Sequence, residues 1–192
     1  MDNNRIEYSS KIDDPAFAKY IKDSNKWSGY FSLGLAFIAV LGFYIYGETS
    51  SEMDNPEALY IGLFIGSVFI LIALFQIIGR GKSTTWDGTV IDKKIKKKSK
   101  HDKYQDSWKN YLQYQVTIKD DRSGKKYDLT ADDDDTRYNY FKIGDRVRHH
   151  KGLNTYEKLD KSGDTIIFCN ACASLNDMKE DYCFRCKCPL LK

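Results

Sequence analysis

Two stretches of the chain are apolar on every side. WSGYFSLGLAFIAVLGFYIYG (27–47) runs 21 residues without a charge between Lys26 and Glu48. ALYIGLFIGSVFILIALFQIIG (58–79) runs 22 more between Glu57 and Arg80. At about 1.5 Å rise per residue each helix would span roughly 30 Å, the hydrocarbon thickness of a bilayer. The pattern predicts two transmembrane helices joined as a hairpin. A secretory signal fits the first run badly, because the run is too long for an h-region, 26 residues precede it and no small-x-small site follows. Small residues recur at helical spacing, Ser28, Ser32 and Ala36 in the first run and Ala58, Gly62, Gly66 and Ala73 in the second. Such stripes let backbones approach closely in lipid. Packing of the two helices on each other is preferred here over a dimer interface. Neither run holds an ionisable residue, which speaks against transport or proton relay.

Past residue 86 the period changes from helical to alternating. TWDGTVID reads as a short strand, and YLQYQVTIK (111–119) alternates cleanly. DDRSGKK supplies a turn and KYDLT its hairpin partner. KIGDRVRH has a Gly-Asp turn leading into a strand with Val147 inward, and KSGD leads into TIIF. Strands at this spacing predict an antiparallel sheet or small barrel of five or six strands, with no helix beyond a turn near 132–141.

Charge adds sidedness. The loop ETSSEMDNPE between the runs has four acids and no base, whereas five basic residues precede the first run. Residues from Arg80 onward carry 25 basic and 18 acidic side chains. Lys and Arg are retained on the cytoplasmic side, so both termini are expected there, in a plasma-membrane protein with a short acidic loop outside. Trp27, Tyr30, Phe43, Tyr44, Tyr46 and Tyr60 sit where aromatic belts form.

Six lysines, Lys93, Lys94, Lys96, Lys97, Lys98 and Lys100, crowd an insert between the first two strands. Three readings compete: a solvated hairpin tip or mobile loop, which is preferred; contact with anionic lipid; and nucleic-acid binding with Tyr104, Trp108 and Tyr111 as stacking faces. ADDDD (131–135) lacks the spacing of a calcium loop and reads as a solvated loop or helix start. His149 and His150 would face opposite sides of a strand and read as surface histidines.

All five cysteines lie in the last 24 residues. Cys169-x2-Cys172, ten residues, then Cys183-x2-Cys186 is zinc-ribbon spacing, in which each knuckle presents two thiolates to a tetrahedral ion. So short a segment cannot bury a core, and metal binding would supply its folding free energy. A closed shell of four thiolates leaves no position for water, so the Zn2+ is expected to be structural. Cys188 is left as the spare. A disulfide framework disagrees with the expected cytoplasmic side, and no βαβ pattern surrounds either CxxC as a thioredoxin-like pair would need.

The tail resembles the bacterial double-CxxC zinc-ribbon family, found at termini of membrane proteins. Cys169, Cys172, Cys183 and Cys186 stand where that family has its ligands, Asn176 four residues after the second cysteine, Tyr182 at the aromatic before the third, and Pro189-Leu190 at the close. Ala173 and Lys187 occupy places where the family usually has Gly. The W-x-G-x-V opening at Trp86 and the later KIGDRV resemble small barrels of the OB or SH3 type, in particular bacterial membrane proteins with a soluble β-domain of unknown function. Few prolines and much Lys, Asn, Asp, Tyr and Ile also point to an AT-rich bacterial genome.

The expected architecture is therefore a membrane α-hairpin of two transmembrane helices, a small antiparallel β-barrel-like (OB/SH3-like) domain and a C-terminal zinc ribbon. Its pieces are a cytoplasmic segment (1–26), the hairpin (27–79, helices 27–47 and 58–79), a cytoplasmic β-rich domain (80–166) and the ribbon (167–192). The expected function is a membrane-anchored, non-enzymatic interaction or scaffold protein, its partners the bilayer, an unidentified protein and a second copy of the chain. Alternatives are a membrane-tethered nucleic-acid binder, and a thiol-redox or metal-responsive sensor using Cys188.

Overall fold

The computed structural model describes residues 7–102 and 106–192. The chain divides into two compact units. Residues 17–83 form one, and residues before 17 join residues 84–192 in the other.

The first unit is the helical pair. Helix α1 spans Pro15–Thr49 and α2 spans Glu57–Lys82. α1 is longer than its apolar run because residues 15–26 continue the helix with mixed polar and apolar side chains, Phe17 among them buried. Both helices are long and apolar enough to cross a membrane, and only 11% and 17% of their most apolar windows are buried. The helix of a soluble core would hide most of that surface. Phe31, Phe37, Phe64 and Phe75 all point outward. What α1 and α2 do bury is the small-residue stripe, Ser32 and Ala36 on one and Ala58, Gly62, Gly66 and Ala73 on the other. A methyl added at Gly62 would stand 2.9 Å from Phe43 Cβ, and one at Gly66 3.3 Å from the Ala36 carbonyl. The stripes thus serve the contact within the hairpin. Near the return end, Arg80 of α2 donates to Asn25 Oδ1 of α1 at 3.0 Å.

The second unit is built on an antiparallel sheet. Its strands are β1 (Trp86–Asp102), β2 (Ser107–Asp120), β3 (Lys126–Asp132), β4 (Arg146–His149) and β5 (Tyr156–Lys158), in the order β3-β2-β1-β4-β5. β6 (Ile166–Phe168) and β7 (Leu175–Asp177) form a separate two-stranded sheet. The expected barrel does not close. β3 and β5 are edges on opposite sides, and β5 has only three residues with which to pair. The inner face is covered instead by a short helix, α3 (Thr136–Tyr140), and by β6. Tyr140, Phe141 and Phe168 pack there with Val90, Val116, Ile118, Val147 and Tyr156.

The W-x-G opening has a steric basis. Trp86 stacks on Tyr127 at 4.7 Å and on His149 at 5.5 Å, roofing the start of β1. A Cβ on Gly88 would meet the Lys119 carbonyl at 2.5 Å and the Trp86 ring at 2.9 Å. Only glycine lets the two strands approach so closely there.

The lysine-rich insert is the outer part of a hairpin, as one of its readings expected, and is a regular ladder rather than a mobile loop. Beyond a bulge between Val90 and Asp92, β1 continues through all six lysines, pairing rung by rung with β2 as far as Asp102↔Ser107. β3 covers β2 only from Gln113 to Lys119, so the outer half of the β1–β2 hairpin is a two-stranded ribbon. The sequence signal was Ile95 set between lysines, opposite the alternating run of β2.

Residues ahead of α1 belong to this unit. Tyr8 lies under the Arg148 guanidinium at 4.0 Å, and the Ser9 N–H donates to Glu157 Oε1 at 2.7 Å. A 3-10 turn (Ser10–Asp13) follows.

Candidate metal centre

The four cysteines of the two knuckles converge. The sulfurs of Cys169, Cys172, Cys183 and Cys186 all lie within 4.8 Å of one another. Cys169 and Cys186 are 3.5 Å apart, and Cys172 and Cys183 3.6 Å. A tetrahedron of thiolates at 2.3 Å from its centre has edges of about 3.8 Å, so this group could hold one metal ion with little adjustment.

The backbone makes the arrangement. Each knuckle is a tight turn closed by the same bond: Ala173 N–H donates to the Cys169 carbonyl at 2.8 Å, and Lys187 N–H to the Cys183 carbonyl at 3.0 Å. The turns require left-handed backbone at the residue after the second cysteine, φ 60° at Ala173 and 59° at Lys187. These are the two places where the zinc-ribbon family usually has Gly. Asn176, on β7, ties the halves together. Its amide donates to the Ser174 carbonyl at 2.8 Å and its Oδ1 accepts from Phe184 N–H at 3.1 Å.

The thiols sit in contrasting fields. Burial pushes the Cys169 thiol up to about 12, and burial together with Cys169 raises Cys186 as well. Burial opposes ionisation of Cys183 too, but the Cys186 and Arg185 N–H groups aimed at its sulfur, with the neighbouring thiols, bring it down to about 7. Cys188 is not one of the four. It is 2% exposed, and its thiol faces the Ala16 carbonyl at 3.7 Å.

The knuckles are joined to the sheet. Phe168, immediately before Cys169, packs edge-on to Tyr140 at 5.2 Å within the core. Asn154 donates to the Ala171 carbonyl at 2.7 Å, and its N–H to the Asn170 carbonyl at 3.1 Å.

The other sequence candidates fall elsewhere. The six lysines do not form one patch. Lys94, Lys96, Lys98 and Lys100 share one face of β1, while Lys93 and Lys97 take the other. Lys93 lies over the Tyr138 ring at 4.0 Å, and its burial lowers its proton affinity. The aspartates of ADDDD are structural. Asp133 exchanges two bonds with the Leu112 backbone, and Asp134 accepts from Thr136 N–H at the start of α3.

The expectation of surface histidines fails for His150. It is 5% exposed, and its Nε2 lies 2.7 Å from Glu157 Oε2. The same carboxylate accepts from Lys161 Nζ at 2.8 Å and from the Ser9 N–H. Burial alone would raise the Glu157 carboxyl, but these bonds hold it below the usual range. A second buried cation, Lys158, pairs with Asp164 at 2.6 Å over the Tyr140 ring. Charged residues in a three-residue strand gave no sign that they would be internal. A groove of about 700 Å3 at the start of β1 is lined by the pairs Asp87–Arg148 and Asp121–Arg146, at 2.6 and 3.1 Å.

No protein-family model matches the chain, and neither curated proteins nor solved structures give a match.

Proposed function

We propose that the chain is a membrane-anchored, non-enzymatic interaction or scaffold protein whose cytoplasmic unit is stabilised by one structural Zn2+ held by Cys169, Cys172, Cys183 and Cys186. The observation that carries this reading is that segments on both sides of the apolar hairpin fold into a single unit. A two-helix hairpin returns the chain to the side it started from, so one soluble body held at a bilayer follows directly. The distribution of Lys and Arg supports the cytoplasm as that side.

The donor set supports a structural ion. Four thiolates saturate a tetrahedral shell, and thiolates suit Zn2+ or iron. The ion would cross-link the knuckles and, through Phe168, the core. Polar groups of the sheet domain are engaged with each other, Glu157 by three donors and Arg146 and Arg148 of the groove by aspartates. The 2% exposure of Cys188 speaks against the sensor alternative in which that thiol reacts.

The test is metal analysis of the full chain purified in detergent. One zinc per chain is expected, lost in Cys169→Ser, with Cys188→Ser still loaded. Iron in place of zinc overturns the metal assignment, and undiminished zinc in Cys169→Ser overturns the ligand set. An impermeant tag that reaches Lys192 on intact cells overturns the sidedness.

A further inference from the structure

The outer β1–β2 ribbon has a face whose chemistry the scaffold reading leaves unused. Beyond the rung Lys96↔Gln113 the ribbon has neither β3 nor β4 beside it. Alternation sorts its side chains. Lys94, Lys96, Lys98 and Lys100 share a face with Tyr111 and Lys109 across the ladder. The opposite face continues the core face and carries Ile95, Leu112 and Trp108, with Trp108 68% exposed and His101 edge-on to it at 5.2 Å. Among the described side chains, acids meet the lysine face near the body of the sheet. Asp92 pairs with Lys94 at 2.6 Å, and Asp128 and Asp132 lie on the adjoining strand, bonded to Thr117 and Gln113. Lys98 and Lys100 have no ion-pair partner among the described residues. Between Lys93 and Leu112 the sequence has eight lysines and two aspartates, which exceeds the formal charge of +3 on the whole chain.

We propose that this lysine face docks on the anionic headgroups of the bilayer that holds α1 and α2, a proposal that rests on the membrane-anchored reading above. Three observations select lipid. The face is a row of ammonium groups spaced at alternate strand residues, about 7 Å apart, and it contains no arginine. Ammonium point charges suit a diffuse anionic surface, whereas forked phosphate contacts favour guanidinium. Trp108, the most exposed ring of the ribbon, lies on the face opposite Lys94, Lys96, Lys98 and Lys100, which leaves the half-buried Tyr111 as the one ring beside that row among the described residues, so successive bases would find no stacking platform along it. Finally, β1 starts four residues after α2 ends, so the ribbon is tethered to the chain that would cross the bilayer and its encounter with headgroups is intramolecular. Docking fixes the soluble unit against the membrane and leaves the Trp108 face open to the cytoplasm.

A two-stranded ribbon is marginal in water, so its amide exchange reports what supports it. The full chain is placed in nanodiscs of phosphatidylcholine, or of phosphatidylcholine with phosphatidylglycerol, and exchange is followed in peptides covering residues 96–102. Each lysine shifts docking about fivefold on an anionic surface, so exchange should slow at least about tenfold in the anionic discs. The slowing should vanish at about 0.5 M salt and in Lys96→Gln/Lys98→Gln/Lys100→Gln, and persist in Trp108→Ser. Equal exchange in the two lipids overturns the docking alone. So does loss of protection in Trp108→Ser with retention in the lysine variant, which would mean apolar insertion. Slowing by a single-stranded oligonucleotide in neutral discs, without slowing by phosphatidylglycerol, assigns the face to nucleic acid. A chain that does not enter discs overturns anchoring and docking together.

Discussion

β1 and β2 pair over fourteen rungs, β6 and β7 over three. The long hairpin is held by a backbone ladder along its length and by core packing over its inner half, where Val90, Val116 and Ile118 are buried. Its outer half has only the ladder. The short hairpin has little sheet of its own and relies on four converging thiols, an Asn bridge, Phe168 anchored against Tyr140, and the buried side chains of Ile167, Leu190 and Leu191. Extended regular structure can therefore outrun its packing and remain open to a partner. A segment of about 25 residues needs cross-links that act from within.

The sharpest way to break this contrast is to remove the cross-link. Cys183→Ser, or a strong chelator, should unfold β6–β7 and release Phe168 from the core, at a cost of at least about 4 kcal/mol. Thermal melting of the full chain in detergent, with exchange read separately for each hairpin, checks it. The knuckles should lose protection entirely, the inner β1–β2 rungs partly, and the outer ribbon not at all. If the inner rungs are unmoved, the two hairpins are independent.

The next effect separates the sheet's own internal tie from the metal. Glu157→Gln leaves Lys161 and His150 facing an amide and weakens the bond to Ser9, with an expected cost of about 3 kcal/mol in metal-loaded protein. The pH dependence has a fixed sign. The folded carboxyl is held below its ordinary value of 4.5, so its contribution is whole above that pH and is lost as pH falls through the lower folded value. Acid unfolding curves of wild type and Glu157→Gln should converge at low pH. Curves that stay parallel would remove Glu157 from the account.

These two features were unequally legible. The knuckles could be read because metal geometry demands a spacing that survives any fold. The apolar runs and YLQYQVTIK could be read because burial imposes a period. The lysine ribbon was legible as a solvated hairpin tip or mobile loop but not as a long strand, because charge density suggests solvation, yet a strand needs only a ladder partner, and β2 supplied one. The buried Glu157, Lys158 and His150 were hidden for another reason. Their partners Ser9 and Asp145 are distant in sequence or, like Lys161 and Asp164, lie in turns that read as solvated. The open sheet was taken for a barrel because strand count and turn spacing are shared by both. Only the three-residue length of β5 and the cover from α3 and β6 decide between them.

Gly88→Ala tests the close approach that starts the long hairpin. The added methyl would press on the Lys119 carbonyl and the Trp86 ring, so overpacking of about 2 kcal/mol is expected, with the Trp86–Tyr127 stack displaced. Near-ultraviolet dichroism and melting report the two effects. A silent variant would mean that the strands separate freely there.

The smallest effect bears on the short hairpin, and its sign is opposite. Ala173 and Lys187 hold left-handed backbone, which costs an L-residue about 1–2 kcal/mol. Glycine removes that strain but adds freedom to the unfolded chain worth about 0.4–1 kcal/mol. The balance favours Ala173→Gly and Lys187→Gly by about 0.5 kcal/mol each, close to a twofold tightening of metal binding, measurable by competition with a chromophoric chelator. The two turns are separate in sequence and closed by equivalent bonds, so the gains should add. The same change at Phe184, inside the second knuckle but outside its left-handed position, should weaken binding. If all three behave alike, flexibility rather than relieved strain sets the affinity.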